Sequence, residues 1–364
     1  MHDMSRTVRR HNTLRIAQVA PLTESVPPKL YGGTERVVAT LTDELVRQGH
    51  DVTLFASGDS ETSARLVAPC REALRLSGTA HQLSMHLLLA EIVDRQADDF
   101  DVVHFHIAPF HFSLARRMSR PHLTTLHGRL DLPEVGALFS EFAELPFVSI
   151  SDAQRMPVPS QNWLATVYHG LEERDLPFRA TAGPGLAFLG RISPEKRVDR
   201  AIAIAEACGM PLRIAAKVDP VDAPYFAQEI EPLLSHPLVE FCGEINDADK
   251  GAFLGQARAL LFPIDWPEPF GLVMIEALAC GTPVIAFRGG SVDEVIDDGV
   301  TGFIVESLDE AIDATRRVST LDRRACRRQF LDRFSAARMA NDYVRVYERL
   351  CDATESVSAD AAHG

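Results

Sequence analysis

Nowhere do the six cysteines approach a C-x-x-C spacing: Cys70, Cys208, Cys242, Cys280, Cys326 and Cys351 are scattered along the chain. That spacing carries no disulfide framework, so they read as reduced thiols of a cytoplasmic protein. An apolar run of transmembrane length is also missing, and the Arg-bearing start at residues 1–12 leads only into LRIAQVA, a strand's length rather than a signal-peptide core. Positive charge is in short supply, with 37 Lys and Arg against 51 Asp and Glu and a net charge of −14. The deficit is uneven, −3 over residues 1–170 and −11 over 171–364. A nucleic-acid surface is excluded on that balance, and contact with anionic lipid would need a local basic patch. No Gly-x-Gly-x-x-Gly follows a strand pattern, which argues against a dehydrogenase. No Ser-His-Asp set and no tandem repeat can be recognised.

What is there is ordinary globular material, 46% hydrophobic and 24% charged over 364 residues, enough for two cores. Its most informative stretch is ALLFPIDWPEPFGLVMIEALACGTPVIAF, residues 259–287. An apolar run of strand length (259–262) meets a Pro-rich loop, then a helical pattern over 271–280, then Gly281-Thr282-Pro283 and a second apolar run, 284–287. Strands apolar on both faces belong in a covered parallel sheet, and the loop falls where such sheets bind ligands, at a strand's carboxyl end. The helix carries one charge, Glu276, and a buried carboxylate is costly unless it is hydrogen-bonded. Glu268 precedes the helix, while Phe270, Gly271 and Leu272 offer backbone N–H groups and a positive dipole end to an anion. At ~1.5 Å per residue, Glu276 lies roughly 7 Å inside the helix start, the span from a diphosphate to a ribose. The stretch reads as a nucleotide-sugar clamp. From these residues alone, Glu276 as a core acid paired with a buried arginine, and Glu268 as a solvated loop charge, stay open as alternatives.

Upstream, residues 14–20 form a strand pattern that runs into PLTESVPPKLYGGTE, whose Gly32-Gly33 pair precedes a helical pattern over 34–48. Two glycines at such a turn let backbone approach a phosphate, although lone pairs are usually turns. DVVHFHIAPFH holds a buried strand, 102–107, with His104 and His106 on one face and His111 following; a zinc site is conceivable and is discounted for want of a nearby Cys or carboxylate. A strand over 122–126 ends in His127-Gly128, where an imidazole can reach a cleft and, near neutral pH, donate a hydrogen bond or a proton. PFVSISDAQR reads as a strand and then a helix capped by Ser151 or Asp152. Residues 171–185 look like an interdomain linker. Beyond it, GRISPEKR puts Arg191 at a strand end and Lys196 five residues on, two cations able to neutralise a diphosphate without metal. Further strands end near Lys217 and near Gly243, Glu244 and Ile245, positions where a base or donor would lie. RGGSVDEVI supplies another Gly-Gly turn, the tail FSAARMANDYVRVYERL is helical and amphipathic, and residues after about 353 are expected to be disordered.

Seven strings in order, YGGTE, DVVHFH, TLHG, SISDAQR, LGRISPEK, FCGEI and EPFGLVMIEALACGTPVIA, resemble the retaining glycosyltransferase family 4 over almost the whole chain. The resemblance implies a GT-B fold: two Rossmann-like domains, 1–170 on the acceptor side and 171–335 for the donor, facing a cleft that closes about the linker, with a helix at about 336–352 crossing back to the first domain. It implies transfer from a nucleotide diphosphate sugar, UDP favoured and GDP the alternative, to a hydroxyl acceptor, with no metal or other cofactor. Glu268 and Glu276 fall at the acidic positions of the E-x7-E motif, the first at the donor sugar and the second on the ribose. Arg191 and Lys196 match the phosphate-binding pair, His127 the residue beside the reacting sugar, and Gly32 and Gly33 the cleft-facing loop. Two departures are visible: the loop before Glu268 is one residue longer than usual, leaving Asp265 and Trp266 as acceptor-side candidates, and His169-Gly170 replaces the commoner Asn-Gly. His106 and His169 join the acceptor-side set. Asp99 with Asp101, and Asp247 with Asp249, fit the D-x-D pattern of the other glycosyltransferase fold, and are read as solvated or capping charges. Arg116, Arg117 and Arg120 form the one small basic patch that could meet a lipid headgroup, a solvated helix face being favoured. A related phosphorylase or epimerase, and a non-catalytic nucleotide-sugar sensor, are the other classes such a clamp could serve.

Overall fold

The computed structural model describes residues 13–29, 32–77 and 82–363. The chain start and Tyr31 of the YGGTE string lie outside the described residues. Among the described residues, β1 (Arg15–Val19), β2 (Asp51–Phe55), β3 (Arg65–Val67), β4 (Val102–Phe105), β5 (His122–Thr125), β6 (Phe147–Ser149) and β7 (Trp163–Thr166) form one sheet in the order β3-β2-β1-β4-β5-β6-β7. Every pairing in it is parallel. β8 (Leu186–Arg191), β9 (Leu212–Lys217), β10 (Val239–Gly243), β11 (Leu260–Phe262), β12 (Val284–Phe287) and β13 (Gly302–Val305) form a second parallel sheet, ordered β10-β9-β8-β11-β12-β13.

Parallel neighbours need long crossovers, and helices supply them, covering both faces of each sheet. That is why strands such as Val102–Phe105 and Val284–Phe287 are apolar or buried at every position. In each sheet the order reverses beside its first strand, between β1 and β4 and between β8 and β11. Loops diverge at such switch points and leave a crevice at the strands' carboxyl ends. The two doubly wound domains expected from the resemblance are present, and their crevices face each other.

The last helix, Ala336–His363, returns to the first domain, where Met339, Tyr343, Val344 and Tyr347 share a core with Ile16, Val37, Leu41 and Val102. It runs on as backbone helix to His363, through the tail expected to be disordered; ATESVSADAA is rich in alanine, the strongest helix former. No described helix is long and apolar enough to cross a membrane. The stretch expected as a linker instead packs on the second domain: Leu171 and Leu176 are buried in its core, and Arg323 and Arg327 hold the carbonyls of Arg179 and Leu176. The crossing is narrower. Leu171 pairs with Ser335, its N–H donating to Phe334 O at 3.0 Å while Ala336 N–H donates to Leu171 O at 3.0 Å. A Cβ on Gly170 would stand 2.4 Å from Ser335 O, so only glycine allows the two crossing strands of chain to lie together.

Candidate active site

Between the carboxyl ends of the two sheets lies a cleft of about 490 Å³. Its second-domain wall begins with the loop after β11. Gly271 holds φ +77°, where an added Cβ would meet Met274 Cε at 2.7 Å, and the Leu272–Ala279 helix starts directly behind it. In that first turn Met274 N–H donates to Gly271 O at 2.9 Å, while the N–H groups of Leu272 and Val273 have no carbonyl within the helix to receive them. Glu268 is pinned from behind: Gly290, at φ +55°, sits so close that a Cβ would be 2.1 Å from Glu268 O, and Ser291 N–H donates to the same oxygen at 2.9 Å. The Gly-Gly turn noticed in the sequence thus serves to press this loop into shape.

Glu268 faces the cleft nine-tenths buried, ion-paired with Lys196 and accepting from Trp266 Nε1 at 3.0 Å. Lys196 also lies 4.7 Å over the Trp266 ring. At the end of β8, Arg191 sits between Glu195 at 3.3 Å and Asp219 at 3.4 Å, and Lys217 meets Asp219 at 2.8 Å. The four cleft-edge groups Arg191, Lys196, Lys217 and the helix start are therefore gathered on one wall, their charge balanced by carboxylates.

Glu276, buried in its helix, is the acid whose partner the sequence left open. It pairs with Arg36, which projects from the Gly33–Arg47 helix of the first domain, and with Lys250 at 3.6 Å. Arg36 also reaches Asp247 at 3.6 Å. Burial alone would push the Glu276 pKa up; the two cations outweigh it and hold the carboxyl below its ordinary range. Both readings of Glu276 are thus compatible with one geometry: it is a buried acid paired with arginine, and it lines the cleft.

The first-domain wall is a layer of histidines. β4 and β5 lie side by side, and alternate residues point the same way, so His104 and His106 stand near Thr125 and His127. His106 Nδ1 is 2.8 Å from His127 Nε2, and the His127 ring stacks on His169 with centroids 5.3 Å apart. His169 in turn packs edge-on against Phe270 of the donor wall, at 4.8 Å. The protein around His127 disfavours an imidazolium and lowers its pKa to about 3; burial drives His106 and His169 well down too. His127 is therefore neutral at physiological pH, and the expectation that it donates a proton there is corrected to hydrogen bonding alone.

Of the sequence candidates, Gly32, Gly33, His127, His169, Arg191, Lys196, Lys217, Glu244, Ile245 and Trp266 line the cleft, as do Glu268, Phe270, Gly271, Leu272 and Glu276. Three do not. Gly243 ends β10 at φ +70° and only turns the chain toward Glu244. His106 lies behind His127. Asp265 points away from the cleft to Arg197 at 2.9 Å and Arg200 at 3.2 Å, bracing the long loop, so its acceptor-side assignment is dropped on geometry. Arg36, Asp247 and Lys250 line the cleft and were missed, because their meaning comes from partners remote in sequence. Asp247 begins a helix capped by Asn246, whose side chain accepts from Asp249 N–H at 3.0 Å; Asp101 bonds the backbone and side chain of Arg15. The basic patch is neutralised locally, Arg116 by Glu141 and Glu144 and Arg120 by Asp98. Among the described residues no group of three or more His, Cys, Asp or Glu is arranged to hold a metal ion.

Residues 31–209 match the family described as Glycosyltransferase Family 4, and residues 177–328 the family described as Glycosyl transferases group 1. A phosphatidyl-myo-inositol mannosyltransferase of Propionibacterium freudenreichii is 29% identical over 79% of this chain and 81% of its own. A glycosyltransferase involved in avilamycin A biosynthesis superposes with a TM-score of 0.73 at 25% identity, over 93% of this chain and 98% of that one. The Anabaena protein HepE, solved in complex with UDP and glucose, superposes with a TM-score of 0.71 at 16% identity, over 92% and 100%.

Proposed function

This chain belongs to glycosyltransferase family 4, and on that premise we propose that it is a retaining, metal-independent transferase, moving a sugar from a UDP-sugar to a hydroxyl acceptor. The observation that carries the proposal is the convergence of Arg191, Lys196, the Leu272–Ala279 helix start, Glu268 and Glu276 on one cleft wall. A nucleotide diphosphate leaves readily once its developing charge is neutralised. Arg191 and Lys196 supply that charge at the end of β8, and the diphosphate would take the place of their present carboxylate partners; the N–H groups of Leu272 and Val273 behind Gly271 add a positive dipole end. Two cations and a helix terminus do a divalent ion's work here, which is the argument for metal independence.

Glu276, one helical turn and more inside, would hold the ribose, and Glu268 the sugar. The sequence offers no second carboxylate at a clear spacing for a covalent double displacement, so retention is assigned to same-face departure and attack, the leaving phosphate taking the acceptor's proton. The acceptor enters past His127 and His169. Rotation about the paired crossings at Gly170–Leu171 and Ser335–Ala336 closes the cleft and excludes water. UDP is favoured because the structurally similar HepE was solved with it. The free thiols fit a cytoplasmic location.

A thermal-shift panel with EDTA present, against UDP, GDP, ADP and their common sugar conjugates, tests this. A ligand at about a hundredfold over its Kd adds roughly 2.7 kcal/mol, which is readily seen. Stabilisation by the uridine series is the expected outcome; no shift with any nucleotide would remove the donor premise.

A further inference from the structure

Where the two domains meet inside the cleft, Arg36, Glu276, Lys250 and Asp247 close into a ring of alternating charge. Arg36 Nη1 pairs with Glu276 Oε1, and Lys250 Nζ lies 3.6 Å from the same oxygen. Asp247 completes the ring: its Oδ2 is 3.6 Å from Arg36 Nε and its Oδ1 is 2.5 Å from Lys250 Nζ. Every member lines the cleft. Glu276, Asp247 and Lys250 belong to the second domain, and Arg36 alone comes from the first. It stands in the first turn of the Gly33–Arg47 helix, whose start lies against the donor wall: a Cβ on Gly33 would be 3.6 Å from Leu272 Cδ1.

Both cations therefore make their closest approach to Glu276 at Oε1. The other oxygen, Oε2, accepts from no described residue and is not sealed off from the cleft that Glu276 lines. An ionised carboxylate offers about four acceptor sites over its two oxygens, so Oε2 keeps roughly two of them for a ligand. Arg36 is what keeps them free. With it the ring is neutral, two acids against two bases; without it two carboxylates share one ammonium, and Lys250 has to serve both. Glu276 then turns toward Lys250 or takes up a proton, and in either case Oε2 stops being a fixed, charged acceptor.

We propose that Arg36 is a positioning residue for the donor's ribose: reaching over from the first domain, it takes Oε1 of Glu276 and so presents Oε2 to the ribose hydroxyls. This role rests on the nucleotide-sugar reading and goes beyond it, because it makes the ribose acid of one domain depend on the other. When the cleft opens, Arg36 leaves with its domain and Glu276 keeps only Lys250. The closed protein thus grips a ribose more tightly than the open one, and by linkage a bound ribose favours closure to the same extent. A nucleotide without those hydroxyls fills the phosphate site and lacks that lever, so Arg36 also sets the preference for a ribonucleotide donor over a deoxynucleotide one.

Calorimetric titration of the full chain with UDP and with 2′,3′-dideoxy-UDP, or the same pair for the base that the thermal panel selects, tests this. Wild type is expected to prefer the ribonucleotide by roughly tenfold or more, the worth of a hydrogen bond to a charged group. In Arg36→Met that preference should shrink to within about threefold while the dideoxy affinity changes little, a split that general loosening of the fold would not produce. Arg36→Lys, which keeps the charge on a shorter reach, should fall between the two, and it carries the test if Arg36→Met does not fold. In a Glu276→Gln background, Arg36→Met should take away no further preference. An unchanged preference in a folded Arg36 variant would overturn the positioning role, and so would tighter UDP binding, which would make Arg36 a block on Glu276. Should wild type bind neither nucleotide, the donor reading falls and this role with it; binding with no preference for the ribose leaves the donor reading standing and removes the role alone.

Discussion

Glu268 and Glu276 are eight positions apart, yet the structure gives them different partners. Glu268 is held by Lys196 and Trp266 on the donor wall, the place proposed above for the sugar. Glu268→Gln keeps the shape and removes the charge, so turnover should fall well below wild type while donor affinity changes little; equal losses in steady-state kinetics and in direct binding would contradict the assignment. Glu276 is different because Arg36 reaches it from the other domain. Arg36→Met should cost about 2 kcal/mol in urea unfolding, short of the full penalty for stranding a buried charge because Lys250 stays close. Adding Glu276→Leu should recover part of that loss, and strict additivity would show that the pair is not coupled. The acid was legible in the sequence as the single charge on an apolar helix. Its partner was not, because 240 residues separate the two and only the packing of one domain on the other brings them together.

At the level of elements, strands and helices were readable wherever apolar period and Gly-Pro punctuation agreed, as in residues 259–287. The short β3 went unread, since Arg65–Val67 is only three residues long and half-exposed, with no pattern to set it apart. The histidine layer shows the other limit. Alternation put His104 and His106 on one face, but nothing local reveals that β5, the 169 loop and the last helix close over them. That closure sets their protonation. Burial lowers the pKa values of His104, His106, His111, His127 and His169, to about 3 for His111 and His127. An imidazole depressed in the folded state contributes its full share above the unfolded value of about 6.5, and that share is lost as pH falls from there toward the folded value. One unit below 6.5, each such ring should cost about 1.4 kcal/mol, so His111 and His127 together account for about 3 kcal/mol at pH 5.5. Urea titrations at pH 8.0, 6.5 and 5.5 should show stability falling by about 0.4 kcal/mol per ring across the first pair and about 1 kcal/mol per ring across the second; a flat profile to pH 5 would mean that these rings are not neutral and buried.

For the whole molecule, the order of motifs was enough to anticipate two doubly wound domains and a returning helix, and the width of the hinge was not. Polar, Pro- and Gly-containing residues 171–185 have a linker's composition, but Leu171 and Leu176 are apolar anchors that tie the stretch to the second domain. The hinge proposed above is the pair of crossings where Gly170 and Ser335 touch. The returning helix also has a bearing on biosynthesis. The second domain's sheet is complete in the chain by Val305, and the helices that cover it by Arg333, so it can close as those residues emerge from the ribosome. The first domain cannot, because Tyr343 and Tyr347 fill its core and are made only after the whole second domain. The half of the protein that is translated first is thus the half that finishes folding last. Until then it exposes an apolar groove beside β1 and β4, the place where a nascent chain of this kind most needs a chaperone.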